Sequence, residues 1–348
     1  MSSTLKPRQA NFELMRIFAM YLILLWHIKG HFMADSDVYH PLVIKVTNLI
    51  SSCISFHVDL FILMTGYFGV RNNKKAIIKN LLLCTSYLWG LNLVSYFLNG
   101  SFEFMEILFP ISHGPWWFMT VYFILILIAP FLEKMFSTFH PKDWYLLMLT
   151  VLSLNIYFGH YQHLRIVYIM GYDLMNMVTV YCVGAFLRRP VLYEKYLYGG
   201  GAKKRLVFIF CLLLFLRIIV SKSYKVLNID VDAGEYCAPL TILLAINVFL
   251  IFKRIKLKAC KGVLFFSSSA VAVYLITDYP LVRQYLTYIY PKIYSEFCHN
   301  SIQGILFVLL TSVFLFVACV LIDKLRIVIF IIIKKIICPI KKKYERYK

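Results

Sequence analysis

Apolar residues come in long unbroken runs along this chain, for example residues 17–26, 122–129, 206–216 and 305–322, each almost free of charge. Such runs suit a lipid surround, because about 20 apolar residues carry a helix across about 30 Å of hydrocarbon. Polar and Pro/Gly stretches punctuate them, and the punctuation predicts ten spans: 12–32, 43–69, 77–98, 116–132, 144–158, 166–187, 206–220, 237–252, 263–282 and 301–322. The fifth and seventh are short. A membrane β-barrel would alternate apolar with polar positions instead, and is excluded. The fold expected is all-α, a polytopic integral membrane bundle of about ten transmembrane helices.

Composition agrees, with 61% of the 348 residues hydrophobic and 16% charged, where a soluble globular chain has about a quarter charged. The net charge of +20 would suggest nucleic acid on a soluble domain. Here the bases sit between apolar runs, so nucleic acid is not expected as a partner and membrane lipids are. Placing the N-terminus inside puts twenty-eight Lys/Arg in cytoplasmic segments and six in outer loops. That asymmetry predicts both termini cytoplasmic. Lys6 and Arg8 precede the first run, but no small-x-small cleavage site follows, so it is expected to be retained as a span. Residues 1–323 are expected to form the membrane domain, with 324–348 a polybasic amphipathic helix on the inner surface. The longest outer loops expected are 98–115, 220–236 and 283–300. There is no internal repeat. The glycines at 199–201 are followed by Ala-Lys-Lys, without the GK[ST] of a phosphate loop.

The nine cysteines are scattered without a CxxC, so neither a zinc nor a redox motif is signalled. Cys237 and Cys298 lie near predicted outer loops and are a candidate pair. Ionisable groups inside the bilayer are costly and are therefore candidate sites. Arg16 and His27 are eleven residues apart, three turns plus about 20°, on one helix face and about 16 Å apart along the axis. His31 lies a turn further, within about 60° of that face. Glu13 stands three residues before Arg16, in reach of an ion pair that would itself explain Arg16 as a snorkelling group. His27 and His31 have metal-ligand spacing, but no third ligand is apparent and no metal is expected. Asp59 needs a partner if ionised, and Arg217 is one candidate.

These residues resemble the membrane-bound acyltransferase family 3, bacterial proteins that O-acylate cell-surface polysaccharides and related glycans. Arg16 to His27 is similar to its basic-x10-His pattern, and residues 57–67 (HVDLFILMTGY) to its V-D-L-F-F-x-x-S-G segment. Trp116-Trp117-Phe118 onward resembles W-F-x-x-x-Y, residues 180–188 (VYCVGAFLR) resemble Y-x-x-G-A-x-x-R, and residues 267–283 resemble the late S-x-x-x-G-x-Y-L-I-H-x-x-P segment. Three positions depart. Thr65 replaces a serine, Phe56-His57 stands where a glycine pair is usual, and Thr277, followed by Asp278, replaces the late histidine.

The resemblance implies acyl transfer to a sugar hydroxyl, which needs a base to take the hydroxyl proton. His27 is expected to be that base, with Arg16 beside an anionic group of the donor. No G-x-S-x-G elbow or Cys–His signature points to an acyl-enzyme. Substrate-binding candidates are His31, Asp59, Thr65, Trp117, Tyr122, Tyr274 and Asp278, although an interfacial aromatic belt equally explains Trp116, Trp117 and Tyr122. The donor expected is cytoplasmic acyl-CoA, acetyl-CoA first, as co-substrate without a permanent cofactor. Its phosphates would rest on Arg71, Lys74 and Lys75. The acceptor expected is an envelope or lipid-linked polysaccharide, and the location the bacterial inner membrane. A transporter or flippase of a lipid-linked sugar is the alternative, which internal repeats would favour. A glycan polymerase is a third, which the short outer loops oppose.

Overall fold

The computed structural model describes residues 9–70, 73–162, 170–193, 201–229, 231–258 and 260–344. The described residues are helical, with turns and no strand. In chain order the helices are α1 (Ala10–His27), α2 (Pro41–Ile54), α3 (His57–Phe68), α4 (Asn73–Asn99), α5 (Phe104–Leu108), α6 (Trp117–Ser137), α7 (Pro141–Leu154) and α8 (Leu174–Leu187). They continue with α9 (Ala202–Val226), α10 (Pro239–Lys253), α11 (Lys261–Ser267), α12 (Val271–Thr277), α13 (Pro280–Phe297) and α14 (Ser301–Tyr344). Proline at the first position starts α2, α7, α10 and α13, where its fixed φ suits the helix and its missing N–H leaves no donor wanting.

Six helices are long and apolar enough to cross a membrane: Ala10–Phe32, Pro41–Phe68, Lys74–Asn99, Trp117–Ser137, Ala202–Val226 and Ser301–Ile332. The chain is a multi-pass membrane protein. Leu174–Leu187 and Pro239–Lys253 are apolar but shorter. The run expected as a single span at 263–282 is broken instead: Lys261–Thr277 and Pro280–Phe297 meet at 78°. Residues 283–300, expected as loop, are largely the helix α13. The boundary expected at 323/324 falls inside α14, which runs on without a break.

Helix α1 is central, touching α2, α3, α10, α11, α12 and α14. Its Ala10 end packs through Phe12, Met15 and Ala19 into a core shared with α3, α8 and α10. Its His27 end packs through Leu24 and Ile28 against α12 and α14. The tightest pair is α3 with α8. Gly66 faces the Tyr181 carbonyl and Gly184 faces the Leu63 carbonyl, so neither position has room for a side chain. Arg188 locks this pair to α6, reaching both oxygens of Glu133 at 2.7 and 2.8 Å and the Gly66 carbonyl at 2.9 Å. The Tyr181 hydroxyl donates to Glu133 at 2.7 Å. The segment at 180–188 therefore works as a clamp between helices.

Two sequence expectations are corrected here. Cys237 and Cys298 are both free; Cys237 is buried and points its thiol at Glu235, 3.7 Å away. Asp59 and Arg217 do not pair. Arg217 donates to Ser55 Oγ, while both carboxylate oxygens of buried Asp59, beside Asn176, make no hydrogen bond among the described residues.

Candidate active site

A cavity of about 290 Å³ opens where the His27 end of α1 meets α3, α6 and α12. That is near the low end of the roughly 300–1,000 Å³ usual for ligand pockets. Half-exposed Tyr172, His31 and Arg283 stand at its mouth. Buried Met20 and Ile23 form an apolar inner wall with Phe61 and Val271. Trp26, Trp117, Phe118, Tyr236 and Tyr274 supply aromatic surface between them.

His27 is buried, 6% exposed, and its Nδ1 lies 2.8 Å from Thr277 Oγ1. Its Nε2 has no hydrogen-bond partner among the described residues. The chain after His27 widens into a π turn, Ile28–Phe32, of the kind often found at functional sites. That turn presents His31, whose ring centroid lies 5.4 Å from that of His27. Asp278 occupies the break between α12 and α13, with Oδ1 3.8 Å from His31 Nε2 and 3.7 Å from Arg283 Nη2. Tyr274 packs its ring 5.9 Å from His27, and its buried hydroxyl, beside Asp278, makes no hydrogen bond among the described residues. The break is itself braced: the Trp116 indole donates to the Leu275 carbonyl at 3.1 Å, and Arg283 to the Asp278 carbonyl at 3.2 Å.

A second buried histidine lines the cavity. His57 Nδ1 sits 2.8 Å from the Ile54 carbonyl, which only accepts, so that nitrogen carries the proton. Nε2 is then the acceptor for the Tyr236 hydroxyl at 3.3 Å. Both nitrogens of His57 are thus engaged, unlike those of His27.

Of the residues singled out in the sequence, His27, His31, Trp117, Tyr274 and Asp278 line this cavity together. Arg16, Asp59, Thr65 and Tyr122 do not. Arg16 pairs with Glu13 at 2.6 Å; Thr65 donates to the Phe61 carbonyl at 2.9 Å and lies 3.3 Å from the Tyr122 hydroxyl. Lys74 and Lys75 are exposed at the start of α4, beyond the end of α3 that lies about 16 Å from His57 along its axis. Arg71 lies outside the described residues.

Sequence reasoning missed His57, Tyr172, Tyr236 and Arg283 as lining residues. His57 carried the same signal as His27, an ionisable group in an apolar run; Tyr172 falls in the predicted span 166–187 and Tyr236 at the end of the predicted loop 220–236, where a tyrosine is no signal by itself. It also missed that Asp278 joins His27 and His31 as a third potential metal ligand, the three ligand atoms lying within 4.8 Å of one another. The Arg283 guanidinium beside Asp278 opposes a cation there. A separate buried trio, His160, Glu235 and Cys237, is closed by a 2.8 Å hydrogen bond from His160 Nδ1 to Glu235.

The geometry offers one buried imidazole with an uncommitted nitrogen, in a cavity polar at one end and apolar at the other. A family model described as an acyltransferase domain matches residues 9–324, nearly the whole chain. Comparison with curated proteins and with solved structures returns no match.

Proposed function

This chain belongs to acyltransferase family 3, and from that premise we propose that it is an O-acyltransferase of the bacterial inner membrane. It moves an acetyl or similarly small acyl group from cytoplasmic acyl-CoA to a hydroxyl of an envelope or exopolysaccharide sugar. The observation that carries this reading is the free Nε2 of His27 inside the cavity.

In this reading the acceptor sugar enters at the mouth, past Tyr172, His31 and Arg283. The aromatic walls give its ring faces something to stack on. The thioester arm lies along Met20, Ile23 and Phe61, on the side toward Arg16. His27 Nε2 takes the hydroxyl proton as the sugar oxygen forms its bond to the acyl carbon. The C–S bond then breaks, and the same nitrogen returns the proton to the departing CoA sulfur, so one group serves as base and then acid. The Tyr274 ring packs beside His27 and steadies the imidazole through both steps. Guanidinium has five N–H donors and Glu13 takes one, so Arg16 keeps donors for a donor phosphate, with Lys74 and Lys75 beyond it.

The charge asymmetry supports ten spans and two cytoplasmic termini, which reporter fusions at Gly200, Gly100 and Asp232 would test. For the reaction, membranes carrying the protein are given radiolabelled acetyl-CoA and envelope glycan. Alkali-labile label should appear on the glycan, and His27→Ala should reduce it roughly 10²–10⁴-fold while insertion is kept. Full transfer by inserted His27→Ala, or translocation of glycan with no ester formed, would refute the proposal.

A further inference from the structure

Thr277 stands where the resembling late segment has a histidine, and its hydroxyl makes two short contacts. One is to the Val273 carbonyl, 2.7 Å away, and the other to His27 Nδ1, at 2.8 Å. Both are ordinary hydrogen-bond lengths, so each needs a hydrogen between its heavy atoms. A threonine hydroxyl has only one. The Val273 carbonyl has none to give, so the threonine hydrogen lies on that side. The second hydrogen then belongs to His27 Nδ1. The reverse arrangement, with the hydroxyl donating to the ring, would press two oxygens together at 2.7 Å with no proton between them.

Resting on the function proposed above, we infer that Thr277 is a positioning residue: it holds His27 as the Nδ1–H tautomer, so that Nε2 always presents its lone pair to the cavity. Thr277 is 1% exposed and sits on the last turn of α12, so its own position is fixed by the helix that carries it. The hydroxyl accepts from the ring whether the ring is neutral or protonated, and it cannot relay a proton onward. All proton traffic on His27 therefore passes through Nε2, between the sugar hydroxyl and the leaving sulfur. His57 is the internal contrast, since its Nε2 is occupied by Tyr236.

The test uses the full-length protein in lipid nanodiscs, labelled with ¹⁵N-histidine, with the His27→Ala spectrum subtracted to identify the His27 nitrogens. The wild type should show a protonated Nδ1 and a bare Nε2 for the neutral ring, and Thr277→Ser should show the same. Thr277→Val keeps the branched shape but removes the acceptor, and should release the ring to the other tautomer. Leaving the buried Nδ1–H without a partner should lower kcat about five- to a hundredfold. KM for acetyl-CoA and for acceptor should be unchanged, and Thr277→Ser should recover most of the rate. A wild-type spectrum with hydrogen on Nε2 would overturn the inference, as would wild-type kcat in Thr277→Val when His27→Ala is inactive. Should Thr277→Val fail to insert, the wild-type and Thr277→Ser spectra decide the matter alone. An active His27→Ala would instead refute the catalytic reading while leaving the tautomer measurement standing.

Discussion

Replacing Gly184 with alanine puts a methyl group into the close approach of α3 and α8. The new carbon would collide with the Leu63 carbonyl oxygen, and would lie 3.0 Å from the Tyr67 nitrogen and 3.1 Å from the Gly66 Cα. All three are backbone atoms, so no rotamer change relieves the clash, and α3 and α8 must part by about 1 Å to regain ordinary contact. Overpacking of this kind costs about 1–3 kcal/mol. Parting also strains the bond from Arg188 to the Gly66 carbonyl, worth about 1.5–3 kcal/mol for a charged donor. Alanine's better helix propensity returns about 0.5–1 kcal/mol. With about half of that bond lost, the net expectation is a loss of about 1–4 kcal/mol. Gly90 in α4 is the control, because a Cβ there meets nothing within 4 Å, and Gly90→Ala should gain about 0.5–1 kcal/mol. An SDS titration of helicity in mixed micelles reads both. Equal midpoints for the two variants would refute the close-packing argument.

Arg188→Lys keeps the charge but cannot reach Glu133 and Gly66 together, so it should lower the same midpoint by about 1–2 kcal/mol. Tyr236→Phe frees His57 Nε2 without touching His27, and should change kcat by less than about tenfold in the acetyl-transfer assay. Cys237 and Cys298 should both take up a thiol alkylating agent in denatured, unreduced protein, detected by peptide mass spectrometry; a 237–298 linked peptide would contradict the fold.

The six long apolar helices were legible because a run such as 305–322 has no soluble alternative. The broken span was not. Asp278-Tyr279-Pro280 reads as the polar end of a helix, and the tyrosine-rich, Lys- and Arg-bearing stretch after it reads as loop. Pro280 as the first residue of a new helix was the available signal. In the site, His27 and His31 were found together because helical spacing is a local property. Their meeting with Asp278 and Thr277 depends on α12 lying beside α1, which periodicity does not encode. The basic-x10-His spacing does place Arg16 on the His27 face, yet about 16 Å of helix separates them, and the cavity reaches only one. Resemblance to a motif is likewise silent on what the motif does. Val180 to Arg188 was known only as a resembling segment, and in the structure its arginine and glycine hold helices together.

The last helix has a mechanical consequence. Forty-four residues from Ser301 to Tyr344 make a rod about 66 Å long, against about 30 Å of hydrocarbon. More than half of that length has no membrane to cross. The apolar stretch ends at Ile332, so the helix backbone beyond it has to leave the hydrocarbon, and the fold closes with a helix longer than the bilayer can hold.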